Sequence, residues 1–351
     1  MLPISEKGEE ALRRKVLSLQ HHVCDYECMW NGIEDVYSSY SGEEVPASFL
    51  FAMCGIGNFR YRNYEITWID GDAPRMYRQF GEVIGFRYQF VKEASFSILL
   101  QSTRREIIAG NPVMLGPLDM YYLPYYPNFY QRQHIPIHYI MMVGFDDEEE
   151  NAYVMECGLA QVQVITYRLL EFALATSHTI CKIAWKEAPK SVITIAKEGF
   201  RRKASYMLDT EEKSLGIEAM YRWGKEFPSW EKSMSKENYS KTLHHIVMYT
   251  GTVPILPCRL QGINKVDKIL HQGGREKLSS VLETLSLQYD VPLWREAAYH
   301  FKESGLQIEE LTEEIVMYLL EEKERGLDLS NRIESIAKEE EVAYRILHGI
   351  L

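Results

Sequence analysis

The first chemical signal in the chain is a histidine, His138, followed eighteen residues later by a carboxylate, Glu156. His138 opens the apolar run Tyr139 to Val143, bounded by Pro136 and Gly144 and too short for an ordinary helix. Such a run reads as a strand buried on both faces. Asp146 to Asn151 reads as a charged turn, and Ala152 to Met155 as the returning strand. A hairpin of that shape brings Glu156 to within a few residues of His138 across the ladder. An imidazole at the mouth of a buried strand, oriented by a neighbouring carboxylate, can serve hydrolysis or acyl transfer as a general base. What the pair lacks is a nucleophile.

A cysteine near the N-terminus can supply one. From Asp25 onward, Met29, Trp30, Ile33, Val36, Tyr37 and Tyr40 recur at helical spacing, and Gly42 closes the segment. Cys24 then reads as the residue at the helix start, where unpaired N–H groups and the positive dipole end stabilise a thiolate. Cys28, one turn further in, reads as a small core residue. The competing reading makes Cys24 a buried, inert thiol too. Cys24 and Cys28 stand beside His21 and His22, but no second ligand pair at zinc-finger spacing follows, so no metal is expected. Gly55-Ile56-Gly57 lacks the third glycine and the strand–helix context of a dinucleotide fingerprint.

The remaining elements follow from periodicity and breakers. Asp70-Gly71-Asp72 reads as a turn, Pro74 to Phe80 as a helix, and Phe96 to Ala109 as a clearer helix closed by Gly110-Asn111-Pro112. Val113 to Leu115 reads as a short buried strand. Gly116 to Tyr130 is dense in tyrosine and broken by Pro117, Pro124 and Pro127, so it reads as a packed loop or as the wall of a substrate groove. Val162 to Tyr167 continues the sheet, Leu169 to Ala175 is helical, and His178 to Trp185 is a last strand. Pro189 marks a change to helical period. Helices are expected around 191–207, 212–227, 236–249, 264–272, 275–288, 290–304, 307–324 and 328–350, with an ordered connection from Thr250 to Gly262. Trp223, Trp230 and Trp294 read as core anchors.

Length and charge bound the function. A chain of 351 residues predicts two domains, 1–188 mixed α+β and 189–351 all-α. A net charge of -11 argues against nucleic acid or an anionic membrane as partner. No apolar run approaches the ~20 residues that span a bilayer, and no secretory signal is evident. Six scattered cysteines without secretory context read as free thiols in a reducing cytoplasm. The apolar surface expected on the C-terminal helices is compatible with a homodimer.

The order cysteine at a helix start, histidine on a strand, acid on the next strand is that of papain-like cysteine enzymes. More specifically, the chain resembles the family of butirosin biosynthesis protein H. The stretches that carry the resemblance are His22-Val23-Cys24, Ala52 to Tyr61, Pro112 to Tyr126 and His138 to Gly158, with Gly216 to Trp230 and the Trp294 region in the second half. Glu156 and Cys157 stand where the family has aspartate and proline. The resemblance implies a papain-like catalytic domain (1–188) followed by a helical domain (189–351). It also implies a cysteine acyltransferase in secondary metabolism, without a metal or resident cofactor. The acyl donor would be a thioester, on the phosphopantetheine arm of an acyl carrier protein or on CoA, and the acceptor a small amine. Cys24 would be the nucleophile, His138 the base and Glu156 the residue that holds the imidazole. The Cys24 N–H would form the oxyanion hole with a side chain of Gln20 or His22, and Asp119, Tyr121 and Tyr122 would line the acceptor side. A peptidase or amidase on the same scaffold, or a catalytically silent binding protein, are the alternative readings.

Overall fold

The structure, a computed structural model, describes residues 12–23, 28–69, 73–175, 177–185, 189–209, 211–250, 272–321 and 326–349. In chain order the first elements are β1 (Arg14–Val16), α1 (Cys28–Ser41), α2 (Phe49–Cys54), β2 (Ile56–Arg62), β3 (Glu65–Ile69), α3 (Ala73–Ile84), β4 (Phe86–Lys92) and α4 (Phe96–Ala109). They are followed by β5 (Val113–Leu118), β6 (His138–Asp146), β7 (Asn151–Glu156), β8 (Leu159–Thr166), α5 (Tyr167–Leu174) and β9 (Thr179–Trp185). The rest is helical: α6 (Val192–Leu208), α7 (Gly216–Glu226), α8 (Trp230–Ser233), α9 (Lys236–Thr250), α10 (Arg275–Tyr289), α11 (Pro292–Glu321) and α12 (Ser330–His348). The chain is thus α+β, with an antiparallel sheet and a helical C-terminal region.

It divides into two compact units, Met1–Ala47 with Tyr77–Ser191, and Ser48–Met76 with Val192–Leu351. The change to helical period at Pro189 lies beside the Ser191/Val192 division. The difference from a simple split is residues 48–76: α2 and the β2–β3 hairpin belong to the helical unit. Phe59 and Trp68 of that hairpin are fully buried against Trp223 of α7, with ring centroids 5.8 and 5.6 Å away. Local sequence carries no trace of that long-range packing.

The first unit is built on a seven-stranded sheet in the order β4-β9-β5-β6-β7-β8, with β1 pairing the far end of β6. Every pairing in it is antiparallel. β6 is central and buried from Ile140 to Asp146, as its short apolar run requires. One face carries Val113, Leu115, Ile140, Met142 and Val154, packed with Leu99 and Ile107 of α4 and Leu170 and Leu174 of α5. Helix α1 lies against the other face. Gly32 makes that approach close: a Cβ there would fall 2.5 Å from Met141 and 2.7 Å from Met114. Since Cys28 and Asp35 lie four residues before and three after Gly32, all three share one face of α1, the face turned to the sheet.

The strand β4 was not apparent in the local reading, although Phe86, Tyr88 and Phe90 alternate along it; it pairs residue for residue with β9. In the helical unit, the two helices expected at 290–304 and 307–324 are one thirty-residue helix, α11. Gly305 does not break it, because the helix uses the absent side chain for contact: a Cβ would sit 2.5 Å from Gln272 Oε1. Trp223, Trp230 and Trp294 are buried. The expected turn at Asp70-Gly71-Asp72, the connection from 251 to 262 and most of the helix at 264–272 lie outside the described residues.

Candidate active site

The hairpin β6–β7 does bring His138 and Glu156 together. His138 is the first residue of β6 and Glu156 the last of β7, and His138 Nε2 lies 2.7 Å from Glu156 Oε2. His138 is 8% exposed and Glu156 0%, so this is a buried pair. The neighbouring strand is shaped to it. At Gly116 in β5, a Cβ would fall 2.8 Å from the His138 carbonyl oxygen and 2.5 Å from the Tyr139 ring, so only glycine admits the close approach.

The third partner is Cys28, half-buried on the first turn of α1. Its thiol lies close enough to the His138 imidazole to raise the basicity of the ring. With Nε2 engaged by Glu156, Nδ1 is the nitrogen that remains to meet a sulfur. Burial works against a charged imidazole here. The charge of Glu156 and the hydrogen bonds of Cys28 and Glu156 outweigh it and raise His138 to about 10. The ring is therefore held as an imidazolium at neutral pH. Around it, the Tyr126 hydroxyl donates to Glu156 Oε2 at 3.3 Å, and the Tyr126 ring meets the His138 ring edge-on at 5.8 Å. Burial first, and then the Glu156 charge, push the Tyr125 and Tyr126 hydroxyls well above the usual phenol range. Both stay protonated, and Tyr126 remains a donor to the carboxylate.

Cys24, the expected nucleophile, lies outside the described residues. Cys28 is not the core thiol that its place one turn inside the helix suggested. Among the described cysteines it is the one that meets His138. Periodicity could not separate the two, because residues four apart fall on the same helix face.

The other expected site residues have defined partners. Gln20 is exposed, and its backbone N–H donates to Ser39 Oγ at 3.0 Å. His22 Nδ1 lies 3.0 Å from Asp35 Oδ1, and the His22 backbone N–H donates to the same oxygen at 2.8 Å. Asp119 accepts from the Tyr121 and Ile135 backbone N–H groups at 3.1 and 2.8 Å and lies 2.6 Å from His134 Nδ1. Burial opposes its charge, but those hydrogen bonds, with that of His134 foremost, hold its carboxyl below the usual range. In this arrangement the carboxylate ties together the two ends of the tyrosine loop. Tyr121 stacks on His134 with ring centroids 4.2 Å apart, and Tyr122 packs against Phe172. Tyr126, which the reading of the loop left unassigned, is the tyrosine that reaches the His–Glu pair.

Family comparison agrees with this part of the chain. Residues 27–157 match the family model described as butirosin biosynthesis protein H, N-terminal, and residues 170–252 match a domain of unknown function (DUF4872). No curated protein matches the chain. The first match contains Cys28, His138 and Glu156 and begins after His22-Val23-Cys24, so that stretch lies outside it, as does the Trp294 region. With the two matches following one another in chain order, the protein belongs to the butirosin biosynthesis protein H-like family.

Proposed function

We propose that this protein is an enzyme of secondary-metabolite biosynthesis in which Cys28 forms an acyl-enzyme and passes the acyl group from a thioester to an amine. The biosynthetic role rests on the family, whose namesake belongs to butirosin biosynthesis. The observation that carries the chemistry is the buried His138–Glu156 pair with the Cys28 thiol against the imidazole. A cysteine on the first turn of a helix, with histidine and acid on adjacent antiparallel strands, resembles the order of groups in papain-like enzymes and supports this reading.

Each group has a role that its surroundings suit. In the resting site the proton of Cys28 already lies on His138 Nδ1, and the sulfur, as the thiolate of that ion pair, attacks the thioester carbonyl. The negative oxygen of the tetrahedral intermediate is met by backbone N–H groups of the first turn of α1, including that of Cys28. Collapse breaks the bond to the donor sulfur, which leaves as a thiol with the proton from His138. The incoming amine then attacks the acyl-enzyme and loses a proton to His138, and Cys28 is released. Glu156 keeps the imidazole oriented and stabilises its charged form. The donor is a phosphopantetheine-borne or CoA thioester, and the acceptor a small amine; a homodimer is compatible with this scheme. Water in place of the amine would make the same acyl-enzyme a hydrolase, a peptidase or amidase.

The test is the pH dependence of alkylation at each cysteine, located by mass spectrometry, in wild type and in His138→Ala. Cys28 should be alkylated faster than the other thiols at neutral pH, and should lose that advantage in the variant. The same behaviour at Cys24 would move the nucleophile there. Six thiols with ordinary profiles would sink the enzyme reading. An acyl-CoA probe that leaves its acyl mass on the Cys28 peptide, discharged faster by amines than by water, would separate transfer from hydrolysis.

A further inference from the structure

Beneath the catalytic groups lies a second histidine–carboxylate pair, His21 with Asp35, to which the mechanism gives no role. His21 Nδ1 is 2.6 Å from Asp35 Oδ2. Its Nε2 is 3.0 Å from the carbonyl oxygen of Glu156 and 2.9 Å from that of Leu159. All three partners are acceptors, and a ring nitrogen can bind an acceptor only when it carries a proton. Both nitrogens therefore donate, and the ring is an imidazolium. Burial opposes this charge, but the hydrogen bond and charge of Asp35, with the two carbonyls, raise the group above its ordinary value. The dependence is mutual, since the Asp35 side chain is 1% exposed and its carboxylate needs a counterion.

The two carbonyls are the ones that matter for the site. Glu156 ends β7 and Leu159 begins β8, and they are paired across the tight turn at Cys157 and Gly158. A cation bound to both carbonyls fixes that turn, and with it the origin of the Glu156 side chain. The anchor of this cation, Asp35, lies two helical turns beyond Cys28 on the same face of α1. One rigid helix thus carries the thiol at its start and, through Asp35 and His21, holds the backbone from which the acid reaches His138.

We infer that His21, held by Asp35, is a positioning residue that sets the Glu156 carboxylate against His138. The inference rests on the acyl-enzyme reading for its purpose but not for its geometry. The groups that face His21 are Asp35 from α1, the Glu156 and Leu159 carbonyls from the β7–β8 turn, and His22, which shares Asp35 through Oδ1. Beyond these, the nearest charges along the network are the Glu156 carboxylate and the His138 imidazolium.

Two readouts test it together: ¹⁵N NMR of the histidine rings in labelled full-length protein, and the alkylation profile of Cys28. In wild type, both His21 nitrogens should still carry protons at a pH where a free imidazole is half neutral; a neutral ring with one bare nitrogen there overturns the inference without any variant. Asp35→Asn keeps the shape and removes the charge, and His21→Gln keeps one donor. In either folded variant the His138 titration should move down toward 6.5, and Cys28 alkylation at pH 7 should slow at least tenfold. Unchanged titration of His138 in both folded variants overturns the inference. If wild-type Cys28 behaves as an ordinary thiol while His138 still responds to Asp35→Asn, the acyl-enzyme reading fails and the positioning role stands.

Discussion

Replacing Glu156 with glutamine isolates the interaction on which the site depends. The variant is nearly isosteric and removes one buried negative charge. His138 is 8% exposed, so in the variant its imidazolium has no counterion and little water, and the ring gives up its proton. The rise of His138 from its ordinary 6.5 to about 10 is, at ~1.36 kcal/mol per pH unit, on the order of 5 kcal/mol of preference for the charged form. Cys28 supplies part of that rise, so the share of Glu156 is smaller. Breaking a buried ion pair by removing one partner costs about 3–5 kcal/mol in general, and the lower part of that range is expected here. The sign fixes the pH dependence. A base whose folded value is raised contributes its full stabilisation below its unfolded value and loses it as pH rises through its folded value. The difference in unfolding free energy between wild type and Glu156→Gln should therefore be largest near pH 6 and shrink steadily toward pH 10. Urea denaturation of both proteins across that interval measures it. A difference below about 1 kcal/mol at pH 6, or one that grows with pH, would refute the claim that a charged His138–Glu156 pair holds the site.

Two further outcomes follow from the same reasoning. Asp119→Ala removes the acceptor that ties Tyr121, His134 and Ile135 together, and loss of such a capping carboxylate costs roughly 0.5–2 kcal/mol. Because this carboxyl is held below its usual range, its stabilisation is present above pH ~3.9 and is lost on acidification through the folded value; faster proteolysis of the 123–135 loop at pH 7, with the difference from wild type vanishing in acid, is the check. In the helical unit, Lys203 is fully buried, bonded to the Ile56 carbonyl and to Asn58 Oδ1, and burial lowers it to about 7. Between pH 7 and about 10.5 the unfolded chain binds the extra proton, so this lysine makes stability rise with pH, and Lys203→Met should flatten that rise in denaturation curves; an unaltered slope would contradict it.

Much of the site was legible because its signals are local. A short apolar run between Pro136 and Gly144 can satisfy its backbone only within a sheet, and the acidic turn after it forces the return of β7. Those two facts suffice to bring Glu156 near His138. Helix α4 has the bounds that its apolar spacing and Gly110 predict, from Phe96 to Ala109. The interrupted stretch from Gly116 to Tyr130 was legible as a packed aromatic segment, but not which tyrosine it turns inward. That choice depends on Tyr126 reaching a carboxylate thirty residues away. The β2–β3 hairpin was hidden for a similar reason, since its aromatic residues are buried by helices more than 150 residues further along the chain.

By itself, the sequence determined the class of the protein, an α+β unit with a helical continuation, and the meeting of one histidine with one acid. Periodicity and turn chemistry act over a few residues, and these features need nothing longer. Only the tertiary structure decided which residues complete the site. Cys24 and Cys28 are four apart in sequence, a spacing that periodicity cannot separate, and Cys28 comes to His138 because Gly32 lets α1 lie close on β5 and β6. The His21–Asp35 clamp spans three separate segments of chain, and its charge state follows from acceptors that no local pattern predicts. Burial of charge is a property of the packed molecule. It is the partners that packing sets against them, Asp35 and two carbonyls for His21 and Glu156 with Cys28 for His138, that hold protons on these two histidines against the cost of burial.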